Sequence, residues 1–276
     1  VGLSLMASAA VARLIAQSCL WVATVIIVIV VSITTLMYAK QTLFPAAVDN
    51  GRFDREARRL YAHWAKANAN HDGGGVQMQI VSDGLAGRPM IFRQSRFLTP
   101  SEVDQLLVGN ISKGAAYELD PINGVVNSKL RDSRRYACKK SQLTDRIDRR
   151  IRIMLNLPSL VDNGGCELVR YIAGRDSVGV VRHTDFVYPS ETRRFTALIY
   201  LTSHTVEEGG STVFYTNPHR RSNRQQDTIT IQPVAGDLVV FRVSDRETGT
   251  LKDKCADHSG KPVVKGHDKM IVQMFF

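Results

Sequence analysis

CELVRYIAGRDSVGVVRHTDF, residues 166–186, is the stretch on which the reading of the whole chain turns. Two runs rich in β-branched and aromatic residues, CELVRYIA and GVVRHTDF, flank the turn signal AGRD, a pattern of strand, turn and strand. The second run ends in His183-Thr184-Asp185. In an extended chain residues i and i+2 point to the same face. An imidazole and a carboxylate two residues apart can therefore reach one ion together.

Outward from this stretch the same rhythm continues to the C-terminus. FTALIYLT, STVFYT, TITIQPV, DLVVFRV and KMIVQMFF follow in order, separated by turn signals such as EEGG and VAGD. Upstream the pattern is mixed. VQMQIVS and RPMIFRQS read as strands. Thr99-Pro100-Ser101-Glu102 opens a helix with a capping box and a proline in its first turn. A further helix is expected over 144–155, where Ile147, Ile151 and Met154 form an apolar stripe. Helices followed by seven or eight short strands predict an α+β fold, a double-stranded β-helix (jelly roll) with flanking N-terminal helices. Its strand core is expected over about 166–276, within a globular part covering 76–276.

The N-terminal residues read differently. No charged side chain occurs from Leu14 to Ala39, and LWVATVIIVIVVSITTLM is almost wholly apolar. About twenty such residues in a helix span a bilayer, so 14–39 is expected to be a single transmembrane anchor, preceded by a tail, 1–13, taken as incomplete. FDREARRLYAHWAKANA (53–69) has Phe53, Ala57, Leu60 and Trp64 at helical spacing, and HDGGG breaks it; residues 40–75 are expected to form a stem helix and linker. The flanking charges, Arg13 before the span and Lys40, Arg52 and Arg55 after it, favour a cytoplasmic C-terminal part. That bias is discounted, because long domains translocate largely regardless of charge.

The chain has 36 Lys and Arg against 26 Asp and Glu, a net charge of +10. The excess gathers in clusters (Arg131 to Lys140, Arg146 to Arg152, Arg220 to Arg224) that lack the interleaved aromatics expected for base stacking. Nucleic acid is not expected as a partner, and the clusters read as a solvated basic face or one that attracts an acidic partner. The cysteines show no CxxC spacing, which gives a zinc or thioredoxin-like motif no support. A Cys138–Cys166 disulfide would suit an oxidising lumen, and Asn110-Ile111-Ser112 is a glycosylation sequon usable only there. The localisation expected is therefore a single-pass membrane protein of the endoplasmic reticulum or Golgi with a lumenal catalytic domain. Oligomeric state is not readable.

Taken alone, HxD is a weak signal, and a hydrogen-bonded core histidine would account for His183. With His258 supplied by a neighbouring strand, His183 and Asp185 would complete the two-histidine, one-carboxylate triad that holds Fe(II) and leaves open positions. His267 competes with His258 as third ligand. His63, His71, His204 and His219 show no partner pattern and are expected at the surface.

The surrounding blocks are more specific. FLTPSEVDQLL, ELVRYIAG with VRHTD, RRFTALIYLTSHTVEEGGSTVF, IQPVAGDLVVF and HSGKPVVKGHDKMIV resemble, in the same order, the prolyl 4-hydroxylase alpha-subunit-like family of 2-oxoglutarate- and Fe(II)-dependent dioxygenases. The resemblance implies His183, Asp185 and His258 as iron ligands. It implies Lys269 as partner of the distal carboxylate of 2-oxoglutarate, with Tyr200 and Tyr171 lining the cosubstrate pocket. HDK carries one residue more than the family spacing, which a small bulge could absorb; otherwise Lys265 would take the role. Val180 stands where relatives often carry an aromatic residue. The implied activity is hydroxylation of a peptidyl proline in an extended, polyproline-like segment, with release of succinate and CO2 and with ascorbate as reductant. Two rivals remain: the same fold acting on lysine or another side chain, and a membrane-tethered binding protein without activity. A nucleic-acid demethylase would carry arginine on the closing strand and no anchor.

Overall fold

The computed structural model describes residues 45–69, 78–85, 88–111, 121–122, 125–126, 133–138, 140–157, 166–174, 179–187, 193–216, 228–245 and 251–276. The expected anchor over 14–39 and the HDGGG break lie outside them. No helix among the described residues is long and apolar enough to cross a membrane. In chain order the elements are α1 (Pro45–Ala69), β1 (Met78–Asp83), β2 (Met90–Gln94), α2 (Pro100–Ile111), β3 (Pro121–Ile122), β4 (Val125–Val126), β5 (Ser133–Ala137) and α3 (Gln142–Met154). They continue as β6 (Cys166–Tyr171), β7 (Val180–His183), β8 (Phe195–Tyr200), β9 (Thr212–Tyr215), β10 (Thr228–Ile231), β11 (Leu238–Arg242), β12 (His258–Gly260) and β13 (Lys269–Phe275).

Residues Arg52–Phe276 form one compact unit. Its strands make a seven-stranded sheet, β1-β2-β11-β8-β13-β6-β5, and a four-stranded sheet, β10-β9-β12-β7, both paired antiparallel. This is the jelly-roll arrangement that the strand rhythm predicts. Two buried clusters flank the larger sheet. Leu168, Ala197, Ile199, Met270 and Val272 pack with helix residues Leu106, Ile147 and Ile151 on one side. Val169, Leu198, Tyr200 and Ile271 pack with Phe214 and Val263 on the other. Strands covered on both faces read as continuous apolar runs, and every residue of β13 is buried. The period of two then decides what faces the second sheet. Lys269 and Gln273 share the face of Ile271, while Met270, Val272 and Met274 point to the helices.

Both helix starts are fixed by reciprocal caps. The Glu102 amide donates to Thr99 Oγ1 at 3.2 Å, and the Thr99 amide donates to Glu102 Oε2 at 2.9 Å. In α3 the cap is Ser141, whose hydroxyl accepts from the Thr144 amide. The helix therefore begins two residues before the expected Thr144, because Thr144 serves as the third residue of a capping box.

The expectation of a stem over 40–75 needs correction. Ala57, Leu60 and Trp64 belong to the same buried cluster as the sheet and α3. The apolar spacing that marked a helix also marks the face that docks, so α1 from Phe53 onward is part of the domain core. A second correction concerns the first basic cluster. It contains β5, the edge strand of the larger sheet, which pairs with β6. Cys138 and Cys166 are joined by a disulfide at the end of that pair. Cys255 is a free, buried thiol.

Candidate metal centre

β7 and β12 lie side by side in the smaller sheet, with His183 and His258 directly opposite each other. The close approach depends on Gly179, whose φ is +68° and where a Cβ would sit 2.2 Å from the Gly260 carbonyl oxygen. The imidazole ring centroids are 4.3 Å apart. Asp185 follows on the same chain: its Oδ1 lies 3.5 Å from His183 Nε2 and its Oδ2 3.8 Å from His258 Nε2. One ligand atom from each of the three lies within 4.8 Å of the others.

The hydrogen bonds behind these groups aim them. His183 Nδ1 is 2.9 Å from the Val181 carbonyl oxygen, and His258 Nδ1 is 3.0 Å from that of Ala256. Each Nδ1–H donates to its carbonyl, which leaves the Nε2 lone pair turned toward the shared space. Thr196 donates from Oγ1 to Asp185 Oδ2 at 2.8 Å and holds the carboxylate in place. Burial alone would raise the Asp185 carboxyl, but the neighbouring imidazoles and the Thr196 hydroxyl hold it well below the usual carboxylate range. Burial pushes the His258 imidazole down to about 4, against the opposing pull of Asp185. Neutral imidazole and ionised carboxylate are the forms that ligate a divalent cation. The donor set and its fixed tautomers fit such an ion, and soft thiolate ligands are absent from the cluster, as suits iron.

A cavity opens beside the cluster, with Val169, Val180, Leu198 and Ile271 as its apolar walls and Tyr171 and Thr212 among its polar lining. Lys269 is 1% exposed. Its Nζ lies 4.7 Å from the Tyr171 ring centroid and 5.7 Å from that of Tyr200. Among the described residues no carboxylate pairs with it. Desolvation therefore pushes its ammonium down to about 7. A buried cation beside an open cavity, without an anion of its own, is equipped to receive one.

Tyr171 is part of the cavity lining. Tyr200 is fully buried and donates its hydroxyl to Thr212 Oγ1 at 2.9 Å, so it reaches the cavity through Thr212. β13 pairs with β6 and β8 without a register shift, and Gly266, in the turn before it, has φ +89°. Lys265 is exposed on that turn. His267 is exposed too, stacked at 4.5 Å on His204. His204 is 5% exposed, which corrects the expectation of a surface residue; its neighbour across the turn covers it, a contact with no local sequence signal.

Thr196 carries no functional signal in the sequence, because a threonine inside an apolar strand looks like ordinary β-propensity. Ser133, Arg135 and Gln273, which line the cavity, are not among the expected site residues either. The basic run around Arg135 was expected as a solvated face. The alternation of Ser133 and Arg135 on one strand is the signal that could have found them.

A model of the 2OG-Fe(II) oxygenase superfamily matches residues 166–276. Among solved structures, a viral collagen prolyl hydroxylase from Paramecium Bursaria Chlorella virus-1 is similar at 21% identity and a TM-score of 0.46, over 67% of this chain and 93% of that one. A Pseudomonas putida prolyl-4-hydroxylase is similar at 18% identity and a TM-score of 0.48, over 71% and 96%. The non-haem alpha-ketoglutarate-dependent epimerase SnoN from nogalamycin biosynthesis is similar at 14% identity and a TM-score of 0.44, over 68% and 77%. A search of curated proteins gave no match. The segment that matches the 2OG-Fe(II) oxygenase superfamily model holds the whole His183, Asp185 and His258 cluster together with Lys269.

Proposed function

We propose that this chain is a 2-oxoglutarate- and Fe(II)-dependent dioxygenase that hydroxylates a peptidyl residue, with proline as the target. The single observation that carries the reading is the His183, Asp185 and His258 cluster at one cavity, with a buried Lys269 that has no carboxylate partner among the described residues lying behind the lining residue Tyr171. His183, Asp185 and His258 would hold iron, which when bound supplies oxygen activation coupled to conversion of 2-oxoglutarate to succinate and CO2. Lys269 would pair with the distal carboxylate of the ketoacid. Tyr171 packs against that ammonium, and Tyr200 fixes Thr212 at the cavity wall. Val169, Leu198 and Ile271, which line the cavity, would exclude water from the cosubstrate's methylene groups. Ascorbate is proposed as the reductant that restores Fe(II).

Proline as the target rests on the resemblance of the sequence blocks to prolyl 4-hydroxylases. The apolar segment 14–39 supports a tether to the membrane, and the Cys138–Cys166 disulfide supports a catalytic domain in an oxidising lumen. A peptide panel assayed with Fe(II), 2-oxoglutarate and ascorbate tests the reading. Succinate release with gain of one oxygen atom on proline-containing peptides is expected. Product on lysine peptides alone would move the target, and no succinate with any peptide would leave a binding protein.

A further inference from the structure

The inner face of the larger sheet carries a second polar group that the metal cluster and Lys269 do not use. The register places it. Lys269 pairs with Tyr171, Ile271 with Val169, and Gln273 with Glu167 on one side and Leu198 on the other. Phe275 pairs with Thr196, the residue that holds Asp185. Along β13, Gln273 therefore lies toward the metal cluster and Lys269 toward the far end of the cavity. Arg135 stands opposite Val169 on β5, on the same face.

Gln273 is 6% exposed, lines the cavity, and has no hydrogen-bond partner among the described residues. Arg135 lines the cavity too; its Nη1 donates to Glu167 Oε2 at 3.2 Å, while its buried Nε makes no bond. The Gln273 carboxamide faces the cavity, and the buried Arg135 Nε–H without a partner is unfavourable unless something completes it. The chemistry of the set narrows what does. Arg135 is already neutralised by Glu167, so the group does not call for a second anion. A carboxamide offers one donor side and one acceptor side, which matches an amide and mismatches a carboxylate or phosphate.

We infer that Gln273, supported by Arg135, is a substrate-positioning residue that reads the main-chain amide next to the target residue of a polypeptide. The inference rests on the dioxygenase reading above and deepens it. For a proline target the amide before the ring has no N–H, so the amide that can satisfy both sides of the carboxamide is the one that follows the target.

The test uses the full chain with Fe(II), 2-oxoglutarate and a proline peptide that it hydroxylates, against the same peptide with an ester in place of the amide after the target. The KM of each peptide and its Kd by fluorescence anisotropy are read for the unsubstituted protein and for Gln273→Leu, an apolar replacement of similar size that a buried strand position tolerates. For the unsubstituted protein the ester should raise KM and Kd about tenfold, the size of one good hydrogen bond. Gln273→Leu should raise them by a similar factor for the amide peptide, with no further loss on the ester, and should shift the Kd of 2-oxoglutarate less than twofold. Independent, multiplying losses, or an amide-peptide KM unmoved by Gln273→Leu, would overturn this inference alone. Absence of turnover by the unsubstituted protein on any peptide would overturn the dioxygenase reading and this inference with it.

Discussion

Lys269 is the residue on which the chemistry of the cavity is easiest to test. Its ammonium is buried beside two aromatic rings with no carboxylate among the described residues, and its pKa is pushed down to about 7 by desolvation. Between pH 7 and the ordinary lysine value the unfolded chain keeps a proton that the folded chain has lost, so folding is penalised most below pH 7 and less as pH rises. Lys269→Met removes a buried, unpaired charge. It should raise the melting temperature of the metal-free protein, most clearly below pH 7, while weakening 2-oxoglutarate binding roughly ten- to a hundredfold by loss of a charge-assisted bond. Differential scanning calorimetry and isothermal titration read the two effects, and a fall in melting temperature would contradict the account. His258 gives the same sign of pH dependence in a lower window. Below 6.5 the unfolded chain takes up a proton that the folded chain refuses until about pH 4. The stability of the metal-free protein should therefore fall as pH drops from 6.5 to 4, by up to about 1.4 kcal/mol per pH unit from this group. Asp185, with its carboxyl held low, adds a loss at still lower pH. Urea midpoints measured across pH 4 to 7 check the slope, and His258→Phe should flatten it. At this scale His183, Asp185 and His258 could be brought together from residue type and spacing, and Lys269 from the family resemblance. Thr196, Arg135 and Gln273 were not legible, because their roles come from register across strands distant in sequence.

Among the elements, helix starts were the most legible, since Thr99 and Ser141 each close a capping box within three residues. The strands from β6 to β13 were legible through their apolar runs and turn residues. β5 was not, because SRRYA looks like a basic surface until its pairing with β6 is known. The role of α1 was hidden for a similar reason: periodicity shows that a helix has an apolar face without showing what covers it. Trp64 packs edge-on against Phe92 at 4.2 Å and is 8% exposed. Trp64→Ala should cost about 3–5 kcal/mol of stability, as large core truncations do, measurable by guanidinium unfolding. A change below about 0.5 kcal/mol would return α1 to the status of a stem.

Across the whole molecule, the order of strand rhythms was enough to predict a jelly roll, but sheet order and partners depend on pairings as distant as β2 with β11. The Cys138–Cys166 bridge closes a separation of 28 residues around α3. In the chain-entropy model such a loop contributes roughly 3–4 kcal/mol. Reduction should lower the unfolding free energy by that order, and an unchanged denaturation midpoint would argue against the bridge. The account as a whole predicts that one metal, one ketoacid and one cavity coincide. A crystal structure of the protein with Mn(II) and 2-oxoglutarate, read by anomalous scattering at the manganese edge, tests this most directly. The prediction is a single metal peak in bonding contact with His183 Nε2, Asp185 and His258 Nε2, with the distal carboxylate of the ketoacid on Lys269. A metal bound elsewhere, or a ketoacid that leaves Lys269 unpaired, would contradict it.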